Sequence, residues 1–191
     1  METQDIKIKK AKLSKGGTIE ASYIDADGNE IAIKGKNKCH NDLRVAFAAL
    51  VPYFTDLTEQ KEADAIDWHD LESADNVDLL RKLDVTGVSI GGDDNNKIVT
   101  LTGKRTLQTS RILNLNAPGV EMDSEMFEWQ HIEDFDIAIQ NLIYEVKEYI
   151  LNKKWEIIQG ELDFSGNPDD PFASADPTDE LPPVETSADV A

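Results

Sequence analysis

The sequence predicts an α+β fold in which a largely antiparallel sheet of about five to six strands packs against two or three helices. Segments that alternate apolar and polar residues occupy the first 38 residues and again residues 84–116, and such alternation is typical of half-buried strands. Segments with apolar residues at helical spacing lie between these regions and after the second. This order indicates a single α+β domain over residues 1–158.

Alternation and turn residues predict three strands at the N-terminus. Ile6 and Ile8 alternate with lysines, and the apolar parity then shifts to Ala11, which indicates a β-bulge. A turn at 15–17 leads into a second strand, TIEASYI, and the Asp-Gly-Asn within 25–30 predicts a hairpin to a third strand that begins IAI. The inward side chains of the second and third strands are Ile19, Ala21 and Tyr23, then Ile31 and Ile33.

Two helices are predicted after the third strand. The first has one apolar stripe, is capped by Asn41 or Asp42, and is kinked or ended early by Pro52. A second, weaker helix covers residues 74–83. The stripe of the first helix consists of Leu43, Phe47, Leu50 and Phe54.

Strands return over residues 84–116, and a long helix follows. DVTGVSIGG and KIVTLTGK are joined by GGDDNN, whose Gly and Asn residues suit a tight turn. A further strand ends before Pro118, and helical spacing predicts a last helix over 133–155. The order up to about residue 104 is also that of an OB-fold, so an OB-like core is one interpretation.

The end of the chain differs in composition from the rest. Residues 165–191 hold five of the seven prolines and seven carboxylates, without a basic residue. We predict a disordered acidic tail, because this segment has too little apolar surface to offset the entropy of ordering. The single cysteine, Cys39, excludes an intramolecular disulfide. The sequence has neither a signal peptide nor a bilayer-spanning apolar run, so we expect a cytoplasmic protein without a membrane contact.

The net charge of −19 is unevenly distributed along the chain. Residues 1–50 carry nine Lys or Arg against seven Asp or Glu, whereas residues 51–164 carry ten against twenty-four. The N-terminal strands are therefore the one region that does not repel a phosphate backbone.

These basic strands suggest a nucleic-acid interface. Lysines at intervals along the first three strands would form a stripe, and Tyr23 would offer a stacking surface for a base. The alternative is the ordinary polar outer face of a half-buried sheet. The basic residues are Lys7, Lys9, Lys10, Lys12, Lys15, Lys34, Lys36 and Lys38.

A short peptide after the last helix points to a protein partner. In QGELDF, Gln159, Leu162 and Phe164 reproduce the pattern Q-x-x-L-x-F. This pattern resembles the bacterial sliding-clamp-binding peptide, and Gly160 departs from it where the fuller form has a leucine. The resemblance implies that Gln159 anchors on the clamp surface while Leu162 and Phe164 fill an apolar pocket.

Two further interpretations concern the same end of the chain. Leu162 and Phe164 would alternatively pack onto the sheet as a last strand, together with Trp155 and the isoleucines that follow it. In DDPF, Phe172 follows two aspartates. This resembles the acidic tip with which bacterial single-stranded-DNA-binding proteins recruit partners, although nineteen residues follow Phe172 here.

Three segments of the body are distinctive together: CHNDLRVAFAALVPYF (39–54), VTGVSIGGDD (85–94) and RILNLNAPGVEM (111–122). They resemble an uncharacterised family of small acidic proteins of tailed phages and prophages. The resemblance implies a phage origin, the cytoplasm of a bacterial host, and a place among genes of DNA metabolism. It implies no catalytic residue.

No pattern in the sequence predicts an enzyme. GGDDNN lacks the Lys-Ser/Thr of a phosphate loop, and Cys39 has no nucleophile signature around it. The His69 of DWHD has no second histidine at helical spacing, so no zinc site is predicted. A magnesium nuclease stays open as an alternative, because its carboxylates would converge only in the fold, although a solvated acidic face is the preferred interpretation. We therefore expect no cofactor.

The preferred hypothesis is a non-enzymatic phage accessory protein that binds a sliding clamp or another replication or recombination partner through residues 159–164. The first alternative is a single-stranded-DNA-binding protein with an OB-like core, whose acidic tail competes with DNA. The second is an acidic decoy that imitates DNA and inhibits a host enzyme, because residues 51–164 carry a net charge of −14.

Overall fold

The computed structural model describes residues 6–93, 96–122 and 129–156. These residues confirm the α+β class, with one open antiparallel sheet and helices packed against it. The side chains expected to bind a clamp or another partner, and the acidic tail, lie outside the described residues. Those side chains are Gln159, Leu162, Phe164 and Phe172.

Seven strands form the sheet in the order β3-β2-β1-β4-β5-β6, and β7 pairs with a separate part of β5. All neighbouring strands are antiparallel. The strands are β1 (Lys7–Leu13), β2 (Ile19–Ile24), β3 (Glu30–Lys34), β4 (Leu83–Asp93), β5 (Asn96–Thr106), β6 (Ile112–Asn116) and β7 (Val120–Glu121).

The helices lie between β3 and β4 and after β7. They are α1 (Asn41–Ala48), α2 (Val51–Leu57), a 3-10 turn (Ala63–Ala65), α3 (Ala74–Leu80) and α4 (Ile132–Leu151). None of the helices in the described ranges is both long enough and apolar enough to cross a bilayer.

The predicted irregularity of β1 is a β-bulge. The pairing of β1 with β2 shifts register between Ile8 and Lys10. Because of this extra residue, Ile8 and Ala11 are both buried although they are separated by an odd number of positions. The lysines after the bulge are thereby turned to the opposite face.

The predicted hairpin between β2 and β3 is held by Asp25. Its carboxylate accepts hydrogen bonds from the main-chain N–H groups of Asp27, at 3.0 Å, and Asn29, at 2.8 Å. Gly28 has a φ of 83°, a left-handed conformation that a side chain disfavours. Bonds from Asn29 lower the pKa of the Asp25 carboxyl, so it accepts these bonds as an anion at neutral pH.

The first predicted helix is divided into two. α1 ends at Ala48, and Pro52 lies in the first turn of α2, where its missing N–H removes no helical hydrogen bond. The cap of α1 also differs from the expectation of Asn41 or Asp42. It is His40, whose Nδ1 accepts from the main-chain N–H of Asp42 at 3.4 Å. A histidine is not among the common capping residues, so this position was not recognised in the sequence.

The strand order agrees with that of an OB-fold up to β5, but the described pairings do not close a barrel. In an OB-fold the third and fifth strands pair, whereas here β5 pairs with β6 and β7 on that side. Within the described residues, β2 is the one strand that pairs with β3. β3 is therefore an edge of an open sheet.

The helices pack against one face of this sheet, and no element among the described residues covers the other face. The core between helices and sheet contains the fully buried Phe54 of α2, Phe135 of α4 and Leu101 of β5. On the other face of β1, Lys10 and Lys12 are exposed. The bulge in β1 and the alternation of side chains along the strands thus decide which side chains lie on this second face of the sheet.

Candidate nucleic-acid interface

Two adjacent rows of side chains cross the uncovered face of the sheet. They combine lysines with small polar residues, and Glu20 is the only acidic residue in them. The first row is Lys34, Glu20, Lys12, Gly87, Thr102 and Asn116, and the second is Ala32, Ser22, Lys10, Ser89 and Thr100. We call these two rows the open face. Its three lysines give it a local positive charge in a chain of net charge −19.

Lys10 and Lys12 are the central charges of the open face. Both are exposed on β1, and neither ammonium group has an ion pair with a described residue. Lys34 differs, because its Nζ lies 3.1 Å from Oε1 of Glu20. This hydrogen bond lowers the pKa of the Glu20 carboxyl, so Glu20 is ionised at neutral pH and partly neutralises Lys34.

Gly87 forms the floor of a hollow in the open face. A Cβ at this position would lie 2.7 Å from Oγ1 of Thr102 and 3.7 Å from Cβ of Lys12. The hollow has a volume of about 370 Å³ and is also lined by Asn114 and Asn116. Hydroxyl and amide groups of this kind can donate hydrogen bonds to phosphate or sugar oxygens.

A second hollow lies on the β3 side of the same lysines. It measures about 440 Å³ and is lined by Lys10, Lys12, Lys34, Ser22 and Glu20, among others. The two β1 lysines therefore stand between two shallow depressions, with their ammonium groups available to both. In this arrangement the two lysines can contact neighbouring phosphates of an extended nucleic-acid strand that crosses the sheet.

The structure brings together some of the lysines predicted from the sequence and separates the others. Lys10, Lys12 and Lys34 share the open face. Lys9 is at the bulge, and Lys7 lines a different cavity, next to α4. Three more lie outside the strands: Lys15 in the turn after β1, and Lys36 and Lys38 in the loop after β3.

Tyr23 does not join the lysines on the open face. It pairs with Ile8 and Ile31, whose side chains point toward the helices, and it packs against the core. The expectation that Tyr23 stacks on a base beside the lysines is therefore corrected. Because strand side chains alternate, a residue at an odd offset from Ser22 lies on the opposite face.

Several polar residues of the open face were not recognised in the sequence. Ser89 of β4 pairs with Thr100 of β5, Thr102 of β5 pairs with Asn116 of β6, and Asn114 lies in the next row beside them. Their signal was present as alternation with Val99, Leu101 and Leu115. Without the strand order, nothing connected these positions to the lysines of β1.

A further cavity lies between α4 and the ends of β1, β4 and β5. It has a volume of about 780 Å³ and is lined by isoleucines together with charged residues. Nζ of Lys97 lies 3.0 Å from Oδ1 of Asp136 at its rim. Three lysines and two carboxylates line this cavity, so its charges are more nearly balanced than those of the open face.

The described chain ends close to the beginning of α1. Trp155 forms an isolated antiparallel bridge with the buried Cys39, and the N–H of Glu156 donates to the carbonyl oxygen of Lys38 at 2.9 Å. The carboxylate of Glu156 also lies 3.3 Å from Nη2 of Arg44. The last described residues are therefore held against the loop before α1.

Within residues 6–93, 96–122 and 129–156, no three His, Cys, Asp or Glu side chains converge in a manner that would hold a metal ion. Comparisons of the chain with protein-family models, with curated proteins and with solved structures found no match in any of the three. The resemblance to phage proteins thus stays a prediction from the sequence.

Proposed function

We propose that this chain is a non-enzymatic accessory protein of DNA metabolism whose open face binds single-stranded DNA. The observation that carries the proposal is the position of Lys10 and Lys12. They are exposed and form no ion pair with a described residue, and they stand between two hollows, one lined by hydroxyl and amide groups and the other by Ser22, Lys34 and Glu20. Lysine is a point-charge ligand of phosphates, and its binding releases counterions from the nucleic acid.

The chemistry of the open face favours contacts to the DNA backbone. No aromatic residue lies in its two rows, so the stacking that strengthens most single-strand binding is absent from this surface. We therefore expect binding that is modest in affinity, independent of sequence and strongly dependent on salt. Duplex DNA is expected to bind less well, because its rigid backbone approaches the acidic remainder of the domain.

The test is fluorescence anisotropy with a labelled thymidine oligonucleotide at several salt concentrations. The Lys10→Gln/Lys12→Gln variant should bind about tenfold less tightly at low salt, and its slope of log K against log salt should fall by about 1.4 for two lost phosphate contacts. The control is Lys61→Gln/Lys153→Gln, which removes two exposed charges away from the open face. An equal loss of affinity in both variants would refute the proposal, and so would the absence of binding by the native chain at about 20 mM salt.

A second candidate function is docking on a sliding clamp through residues 159–164. It is favoured by the sequence QGELDF, in which Gln159, Leu162 and Phe164 reproduce the Q-x-x-L-x-F pattern of clamp-binding peptides. Clamp is titrated into the native chain and into Leu162→Ala/Phe164→Ala. The variant should lose most of the affinity, and equal binding by both would remove the hexapeptide from this function.

A further inference from the structure

The edge strand β3 has an unused set of main-chain hydrogen-bonding groups. The N–H of Gly35 donates to the carbonyl oxygen of Ile19 at 2.8 Å, so the groups of the odd-numbered residues face β2. The N–H and C=O groups of Glu30, Ala32 and Lys34 consequently point away from the sheet. No described strand pairs with them.

The sequence of β3, EIAIK, is complementary to itself in one antiparallel register. If Ala32 is placed opposite Ala32 of a second copy, Glu30 faces Lys34 at both ends. Ile31 then faces Ile33 on the side of the helices, where both are half-buried in the single chain. Opposite charges and apolar pairs at facing positions are the contacts that stabilise neighbouring strands.

We propose that two copies of this chain associate through their β3 strands in this register. In this register the outward main-chain groups of Glu30, Ala32 and Lys34 face those of Lys34, Ala32 and Glu30 in the second copy, so about six main-chain hydrogen bonds form. Even-numbered residues stay on one side of the joined sheet. The two open faces therefore merge into one continuous lysine-bearing surface, and all helices lie on the opposite side.

The register is selected by charge. A shift by two residues places Ala32 opposite Glu30 or Lys34, so that no charged residue of β3 then faces an opposite charge within β3. Five residues from each chain bury less than the roughly 1,000 Å² of a stable interface, so the dimer is a weak one that forms at high protein concentration. The proposal rests on β3 alone and is independent of DNA binding.

The test is sedimentation velocity of the full chain without DNA, at up to about 1 mM protein and about 0.15 M salt, which screens the net charge. The native chain should show a concentration-dependent shift from 21.3 kDa toward twice that mass. Glu30→Lys and Lys34→Glu each place like charges opposite each other twice. Each variant alone should therefore dimerise about tenfold more weakly.

Mixing these two variants gives the decisive result. In a mixed dimer, the lysine introduced at position 30 of one chain faces the glutamate introduced at position 34 of the other. At the opposite end the native Lys34 of the first chain faces the native Glu30 of the second, so association should return to within about threefold of the native chain. Lys36→Glu changes the charge equally but lies outside β3, and it should not impair the dimer. Failure of the mixture to associate better than either variant alone would overturn the proposal.

Ala32→Pro provides a second test that does not depend on charge. The N–H of Ala32 points away from β2, so proline removes central bonds of the dimer and none within the sheet. The variant should stay at 21.3 kDa with an unchanged far-ultraviolet circular dichroism spectrum. A native chain that remains monomeric at every concentration overturns the proposal. So does a dimer seen only in Leu162→Ala/Phe164→Ala, which would assign the edge to the chain's own C-terminal segment.

Discussion

Arg105 of β5 holds the Glu62 carboxylate through two hydrogen bonds, from Nη1 to Oε2 at 2.7 Å and from Nη2 to Oε1 at 2.6 Å. Both side chains are largely buried, with exposed fractions of 14% and 12%. Nη1 of Arg105 also donates to Oε1 of Gln60 at 2.9 Å. This pair ties the segment after α2 to the sheet. Bidentate pairs in such surroundings are among the stronger polar contacts in proteins.

Glu62→Gln should lower the free energy of unfolding by about 2 kcal/mol, because it replaces a charge-assisted pair with a neutral one and leaves Arg105 poorly compensated. Chemical denaturation at pH 7 measures the change. The control is Asp78→Asn, which breaks an ion pair of similar length to Arg81 in an exposed position and should have no measurable effect. Equal effects in the two variants would contradict this account.

The penalty of Glu62→Gln should shrink in acid. The hydrogen bonds from Arg105 lower the pKa of the Glu62 carboxyl in the folded state. Its contribution is therefore present above the pKa of the unfolded chain and is lost as the pH falls through the folded value. Native chain and variant should converge in stability toward pH 3, and a constant difference from pH 7 down would argue against the pair as the cause.

Gly103→Ala should destabilise the domain by about 1–3 kcal/mol through overpacking. A Cβ at this position would press against the carbonyl oxygen of Asp84 and would lie 2.6 Å from the ring of Phe54. In Gly91→Ala the nearest atom is 4.0 Å away, so this variant is the matched control in the neighbouring strand. Thermal unfolding of both variants decides the matter, and a Gly103→Ala chain as stable as the control would show that α2 does not pack as described.

His131 should make stability depend on pH between about 5 and 7. Its ring stacks on Trp68 with centroids 3.5 Å apart, and it is 9% exposed. Burial lowers the pKa of His131, and the charges of Asp56 and Asp134 offset this only in part. The unfolded chain therefore binds the proton more readily, so stability falls as the pH drops below the ordinary histidine value of about 6.5.

The variant His131→Phe keeps a ring on Trp68 and removes the titration. Its melting temperature should decline less than that of the native chain between about pH 7.5 and 5.5, a range above the titration of ordinary carboxyls. His69→Gln removes an exposed histidine and should behave as the native chain does. Identical pH profiles for the native chain and His131→Phe would exclude His131 as the titrating group.

Neutralising the acidic tail should strengthen DNA binding. Asp169→Asn/Asp170→Asn removes two of the seven carboxylates of residues 165–191, and affinity for a thymidine oligonucleotide at low salt should rise about twofold to threefold, because less negative charge competes for the lysines. Asp64→Asn/Glu72→Gln removes two exposed charges within the domain and gives the effect of net charge alone. If both variants gain equal affinity for the oligonucleotide, the tail has no particular role in DNA binding.

Local patterns determined most of what the sequence could predict. The alternation of apolar and polar residues placed Ile19, Ala21 and Tyr23 on one face of β2, and the shift in that alternation at Ala11 placed a bulge in β1. Both features could be predicted because they depend only on the order of residues within a short segment. The same alternation already separated Tyr23 from the lysines. The prediction that Tyr23 and the lysines form one site was therefore wrong.

Which strands are neighbours was decided only by the tertiary structure. β1 lies between β2 and β4, so Lys12 stands beside Gly87, and the row then continues to Thr102 and Asn116. These residues are far apart in sequence, and their contact depends on how the apolar side chains of the whole sheet are buried against the helices. A short segment of sequence does not contain this information. The same packing left β3 at an edge. The sequence alone therefore determined the faces of the strands, whereas the fold decided which faces combine and which edge stays free.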